Sequence, residues 1–464
     1  MEIQALKKPL QQLQRTLELS VTDPRNQSLI SYPLCTLAVI IILARMSGVE
    51  DMEGIAAFYG RNKSKLKEYL YGLDDAIPSG QTFRRVQTIL NTDNLLEYFT
   101  QYFVTACINP QLPQSLTLKE RDVISCDGQN IKATRLCDKN GDKRVNTGAN
   151  IIQLYSHKYG LTLAQRVSSK YNQESKAICD LIPLINAHNC IFTWDAINTR
   201  HSTINAVINA GGDFLVALKA NQETLWEEVV TAFQYCPQDE IVQDTRHNNG
   251  AHGRIEEKTI SILPVTAVLS KEIKRQWPQI RSIIRVQTKR YVKATGNEQQ
   301  DIRYFISSLE VETENEDFAA QMQDIILKRW SVETCHWFLD VFFTQDRLPL
   351  RNQDYIRNHT YFTKMAYNIL SFVKGHLPEK SKGRTASMGL LQQACQDVEV
   401  SLSFIAAYLA QDVSALLEDE RLYDACILKR PEIKDDYVAP KVTVPESGLA
   451  RLAMLGKKGV NNKS

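Results

Sequence analysis

Two aspartates in this chain close hydrophobic strands, and acidic residues so placed can do metal chemistry. Asp127 follows the apolar run VISC and precedes a glycine, while Asp195 ends the run IFTWD. A carboxylate at the end of a buried strand is costly to hold unless a cation or a donor meets it. The carboxyl ends of strands in α/β sheets are also where ligand sites gather. One Asp-Gly pair alone marks only a turn; two aspartates, each closing a strand of one domain, point to a divalent-metal site. The helix expected over IILKRWSVETCHWFLDVFF supplies a third acid, because Arg329, Glu333, His336 and Asp340 fall on one of its faces. Trp330 and Trp337 form an adjacent stripe. A solvated surface is the plainer alternative for that polar face, but an arginine beside a carboxylate suits a metal site next to a phosphate.

Mg²⁺ prefers hard oxygen ligands and keeps waters and substrate phosphates around it. Two such ions about 4 Å apart activate an attacking hydroxyl and stabilise the leaving oxygen. No CxxC pair, zinc-like Cys/His spacing or phosphate-cradling glycine loop competes with this chemistry. Glu333 and Asp340 lie two turns apart, roughly 10 Å at 1.5 Å rise per residue, so both cannot serve one ion pair. Glu333 has the longer reach and lies one turn from Arg329. The expectation is that Glu333 converges on Asp127 and Asp195, with Asp340 further off.

The elements that must position these groups begin at about residue 121. VISCDGQNIKA is a strand that continues past Gly128, and NIIQLYSHKYGLTLAQRVS is two strands meeting at Tyr159-Gly160. A helix over Glu174–Ala187, strand CIFTWD, a helix over Thr199–Asn209 and strand DFLVALK follow. That order predicts an α/β domain, a mixed sheet covered by helices. A β-rich insertion with three strand-like runs occupies about 223–323, and one long helix starts near Phe318. Residues 1 to about 120 form a helical region. Ser79 is a helix N-cap there, and Arg84 and Arg85 suit DNA phosphates, or simply a solvated face. Residues 376–464 are helical and end in a basic tail. The domain boundaries expected are therefore 1–120, 121–375 and 376–464.

The bulk numbers agree with a folded protein: 464 residues, 43% hydrophobic and 23% charged. A net charge of +2 leaves room for a local basic patch, which is what DNA binding requires. The ten cysteines are scattered, as reduced thiols would be. The opening MEIQALKKPLQQLQ carries no signal-peptide pattern, and the apolar run Tyr32 to Leu43 is too short for a bilayer. A cytoplasmic protein is expected, with no membrane partner.

Eight ordered blocks resemble the DDE transposases of bacterial insertion sequences, in the H-repeat-associated branch. They are LAVIIILARMSGVEDMEGIAAF, IPSGQTFRRV, CDGQ, TWDA, GGDFLVALKANQ, HGRIEEK, FISSL and RWSVETCHWFLDVFFTQD, spread over about 30 to 372. The resemblance implies an RNase H-like core interrupted by a β-rich insertion, with a helical N-terminal domain and a helical C-terminal region. It implies metal-dependent cleavage at transposon ends and strand transfer of 3′-hydroxyls, with Mg²⁺ (or Mn²⁺) as cofactor. Double-stranded DNA is the implied partner, bound by a homodimer. Position by position it implies Asp127, Asp195 and Glu333 as catalytic metal ligands and Arg329 as the neighbouring base. Lys219, Asn221 and Gln222, and in the insertion His252 and Arg254, would lie along the DNA. Where the family commonly ends its last motif in Glu-Asp this chain has Gln345-Asp346, and where it has Glu-Asn this chain has Glu333-Thr334. A domesticated DNA-binding relative and a structure-selective nuclease on the same fold are the alternatives.

Overall fold

The computed structural model describes residues 3–105, 116–135, 148–168, 173–248, 254–348, 352–377 and 386–418. Contacts divide the chain into two units, Met1–Cys426 and Ile427–Ser464, and every described residue belongs to the first. His252 and the basic tail lie outside the described residues.

Among the described residues nine strands form one sheet: β1 (Asp122–Asn130), β2 (Asn150–Ser156), β3 (Leu161–Ser168), β4 (Cys190–Thr193), β5 (Asp213–Leu218), β6 (Val242–Asn248), β7 (Arg254–Pro264), β8 (Ser282–Val292) and β9 (Asn297–Ser307). Their order is β3-β2-β1-β4-β5-β9-β8-β7-β6. The first three strands form an antiparallel meander, turned between β2 and β3 at Gly160, whose φ is +66°. β4 and β5 then add in parallel with β1. That is the mixed RNase H-like arrangement expected from strands followed by alternating helices and strands. The insertion does not stand apart. Its last strand, β9, pairs antiparallel with β5 from Leu215↔Ser307 to Leu218↔Tyr304, so the insertion strands widen the core sheet.

The helices before the sheet are α1 (Ile3–Ser20), α2 (Leu34–Met46), α3 (Met52–Tyr69), α4 (Gly80–Ile89) and α5 (Thr92–Tyr98). Within and after the sheet come α6 (Glu174–Leu181), α7 (His201–Asn209), α8 (Glu223–Tyr235), α9 (Val265–Val268), α10 (Lys271–Gln276), α11 (Phe318–Lys328), α12 (Ser331–Phe342), α13 (Gln353–His376), α14 (Met388–Ala394), α15 (Val398–Ala410) and α16 (Ser414–Glu418). α2 is buried along its whole length and packs on α13, which also meets α4 and β3. Ser47 donates to the Cys395 carbonyl at 2.6 Å, which ties the N-terminal helices to those after α13. Among the described residues no helix is long and apolar enough to cross a membrane.

Three elements differ from expectation. The helix after Glu174 ends at Leu181 and tightens into a 3₁₀ turn over Ile182–Leu184, where Pro183 has no N–H to continue the ladder. A fourth insertion strand, β6, carries no hydrophobic signal because it is a largely exposed edge; pairing with β7 decides it. The long helix breaks at Arg329–Trp330 into α11 and α12. There the Ser331 hydroxyl donates to the Lys328 carbonyl at 2.6 Å, competing with the helical backbone bond.

α11 anchors this break. Phe318, Ala319, Met322, Ile325 and Ile326 are buried against Val123 of β1, Ile191 of β4, Leu215 of β5 and the insertion residues Ile260, Ile284 and Phe305. Each large side chain so buried contributes about 1.5–3 kcal/mol. Met322→Ala should therefore cost about 2–5 kcal/mol, read as a lower denaturant midpoint. An unchanged midpoint would show that α11 does not hold core and insertion together.

Candidate active site

The parallel pairing of β1 with β4 sets the two aspartates side by side. Register runs from Asp122↔Cys190 to Ser125↔Thr193, and two residues further along lie Asp127 and Asp195. Burial pushes the Asp127 carboxyl up to about 7, the charges of Asp195 and Glu174 add to this, and the Gly128 N–H and Arg329 oppose it. Asp195 is exposed, and its Oδ1 accepts from Arg329 Nη1 at 2.7 Å. Arg329 reaches it from the break between α11 and α12, its guanidinium 5.1 Å from the centre of the Trp330 ring. The Arg329 guanidinium thus supplies positive charge beside two crowded carboxylates. An acidic pair of hard oxygens, one of them withdrawn from water, fits a divalent cation, whose charge would offset the cost of burying the Asp127 carboxylate.

Glu333 is not part of that pair. It is exposed on the first turn of α12 and lines a groove of about 810 Å³ with Lys258, Thr288, Arg290, Arg303 and Trp330. Among the described residues no three His, Cys, Asp or Glu side chains are grouped closely enough to hold a metal. The helix break explains the separation in part, since Arg329 and Glu333 belong to different helices rather than to one face. Asp340 is engaged elsewhere: its Oδ1 accepts from Gln129 Nε2 at 2.7 Å, and burial followed by the Asp346 charge pushes its carboxyl up to about 6.

Side chains absent from the sequence-based site surround the pair. Glu174, the first residue of α6, accepts from Asn150 Nδ2 at 2.9 Å and from Asn198 Nδ2 at 3.1 Å, so it links β2 to the turn after Asp195. A Cβ on Gly128 would come within 2.6 Å of that carboxylate. The glycine after Asp127 therefore permits a close approach rather than making a turn. His336 Nδ1 lies 3.8 Å from Asp127 Oδ2, and burial, then the Lys364 charge, pushes its imidazole down to about 3, so it is neutral. Gln153, an amide set between the apolar Ile152 and Leu154 and fully buried in the fold, was the sequence signal for this polar layer.

The expected DNA-side residues separate into two kinds. Asn221 Nδ2 donates to the Ala196 carbonyl at 2.8 Å and Gln222 Nε2 to the Thr199 carbonyl at 3.0 Å, so both amides brace the turn carrying Asp195. Lys219 is exposed at the end of β5. Arg84 and Arg85 are exposed on α4, whose buried side carries Phe83 and Val86 and whose N-cap is Ser79. Arg254 opens β7, paired with Val292. Gln345, in place of the family's usual glutamate, donates from Nε2 to Gln129 Oε1 at 2.7 Å, a bond that a carboxylate could not give.

Relatives match this chain in sequence over most of their own length. YhhI of Escherichia coli (strain K12), named as an H repeat-associated transposase candidate, is 24% identical over 360 residues, covering 76% of this chain and 88% of its own. YncI of Escherichia coli O157:H7, also named as a transposase candidate, is 24% identical over 369 residues, covering 78% and 89%. A Xanthobacter autotrophicus protein of the dhlA 3′ region is 26% identical over 298 residues, covering 62% and 92%. The model of the DDE_Tnp_1-associated family matches residues 19–103. The model of the transposase DDE domain matches residues 118–369, which hold β1, β4, both aspartates and the helices through most of α13. With more than half of its length inside that domain, the chain belongs to the DDE transposase family.

Proposed function

We propose that this transposase cuts DNA at the ends of its element and joins the freed 3′-hydroxyls to target DNA. The observation that carries the reading is the Asp127–Asp195 pair on adjacent parallel strands, Asp127 within β1 and Asp195 two residues past the end of β4, with Arg329 ion-paired to Asp195. Asp127 and Asp195 would hold Mg²⁺ or Mn²⁺, and Glu333 of α12 would complete the set once DNA occupies the site. Bound there, such ions activate a water or a 3′-hydroxyl and stabilise the leaving oxygen. Arg329, released from Asp195, would donate to the scissile phosphate. Glu174, Asn221 and Gln222 keep the Asp195 turn in place. Lys219, His252 and Arg254 would line the path of the DNA close to the cut, and Arg84 and Arg85 would grip its backbone.

Three parts follow: a DNA-binding region over 1–120, a catalytic region over 121–375 with its insertion, and a C-terminal region over 376–464. Two ends must be processed together, so the complex on DNA would be a homodimer. Its place of action is the cytoplasm, where the DNA lies.

The test uses labelled DNA flanking the gene as substrate. Cleavage and joining should need Mg²⁺ or Mn²⁺ and vanish in EDTA. Asp127→Asn, Asp195→Asn and Glu333→Gln should each lose at least about 100-fold in cleavage, more than an outer-shell change costs, while retaining end binding. Cleavage without joining by the wild type would make it a nuclease. If Asp340→Asn loses cleavage while Glu333→Gln keeps it, the third ligand is Asp340.

The raised Asp127 carboxyl predicts a pH effect on the metal-free protein. Its folded value of about 7 exceeds the ordinary 3.8, so the folded state binds the extra proton between these values. Stability from this group is full below pH 3.8 and is lost as pH rises to about 7. With a side chain 31% exposed, the loss is about 1–2 kcal/mol after solvent screening. Asp127→Asn should therefore raise the Tm of the metal-free protein above neutral pH and flatten that profile; an unchanged profile would contradict the buried charge.

Arg84→Ala with Arg85→Ala should weaken DNA binding and reduce the slope of log K against log salt by about 1.8, the effect of two lost phosphate contacts. An unchanged slope would remove α4 from the DNA interface.

A further inference from the structure

A buried polar chain runs from α13 to Asp127, and its donors and acceptors can be assigned link by link. It starts at Lys364, which is fully buried, and passes through Gln153 of β2, equally buried, to His336 of α12. The Lys364 ammonium donates to Gln153 Oε1, which also accepts from Thr162 Oγ1 at 3.2 Å. An ammonium has no acceptor, so the oxygen of the Gln153 amide must face Lys364. The amide nitrogen then faces His336, with Gln153 Nε2 2.8 Å from His336 Nε2 and 3.9 Å from Cys335 Sγ. An amide nitrogen only donates, so His336 Nε2 must be the acceptor. The imidazole proton is left on Nδ1, the nitrogen that lies 3.8 Å from Asp127 Oδ2.

We infer that Lys364, Gln153 and His336 form a positioning relay that fixes His336 as the Nδ1–H tautomer and presents an N–H to the catalytic aspartate. This rests on the reading of Asp127 as a metal ligand. The distance of 3.8 Å is wider than a hydrogen bond, so the N–H acts on the carboxylate through its dipole or through one bridging water. Together with the Gly128 N–H, which donates to Asp127 Oδ1 at 2.9 Å, it gives each carboxylate oxygen a donor on the protein side. His336 is thereby a positioning residue and not a ligand, because the nitrogen nearest the metal site carries a proton.

The tautomer can be read in the metal-free chain, with no reaction required. In protein labelled with ¹⁵N-histidine, with His336→Asn used to assign the signal, His336 should show a protonated Nδ1 and an unprotonated Nε2 at neutral pH. A protonated Nε2 in the wild type would overturn the relay. Gln153→Glu keeps the volume and the bond to Lys364 but offers His336 only an acceptor. It should move the proton to Nε2 and lower cleavage about 10–100-fold, as loss of an outer-shell partner does, with DNA binding unchanged. A swapped tautomer with wild-type cleavage would overturn the positioning role. Lys364→Met, which frees the amide to rotate, should give a mixture of tautomers; a pure Nδ1–H signal in the folded variant would overturn the lock and decides the matter if Gln153→Glu does not fold. Asp127→Asn is the control for the underlying reading: if it cleaves at the wild-type rate, the metal assignment fails whatever the tautomer shows.

Discussion

A carboxylate withdrawn from water on β1, with a second one close by after β4, is the constraint that the surroundings of the site must meet. Backbone pairing between β1 and β4 fixes the strand ends, so the carboxylates cannot simply separate. Their field must be met by donors and cations from other elements. Arg329 comes from the break between α11 and α12, the Gly128 N–H from β1 itself and His336 from α12. Those partners are useful only if α11 and α12 are held rigidly. For α11 the cluster joining it to β1, β4, β5 and the insertion strands does this, and α12 buries Val332, Cys335 and Leu339. The two aspartates therefore play unlike parts in the fold: Asp127 is the one held out of water, while Asp195 holds Arg329.

Much of this was legible in the chain. The strands carrying Asp127 and leading to Asp195 announced themselves through hydrophobic runs, although β1 does not end at Asp127 but runs on to Asn130; the Ser79 cap showed through its hydroxyl, and the turn at Gly160 through a residue that tolerates positive φ. What stayed hidden depends on partners far away in sequence. Nothing near Gln153 reveals that Lys364, 211 residues on, will orient its amide. Asn221 and Gln222 look like a polar loop beside DNA until their amides are seen on the backbone of the Asp195 turn. The helical face joining Arg329 to Glu333 assumed an unbroken helix, and Ser331 gave only a weak hint of the break.

The departure at Gln345 is compensated locally. An amide there can donate to Gln129, and Gln129 in turn donates to Asp340, so the neutral residue extends a small network while its own Oε1 stays unpaired. In a buried pair a glutamate at 345 would need a proton or another donor to do the same. The substitution therefore leaves the Asp127–Asp195 pair untouched and acts two residues along β1.

Because the insertion strands continue the core sheet, strand ends on a single framework reach from β3 to β6. Nine strands make eight intervals, and at about 4.8 Å each the edge extends to at most about 38 Å. At 3.4 Å per base pair that is about eleven base pairs, one turn of B-form duplex. The core strands and the outermost insertion strand thus share one hydrogen-bonded framework about as wide as that turn, and the twist of the sheet carries its edge around rather than along a straight line.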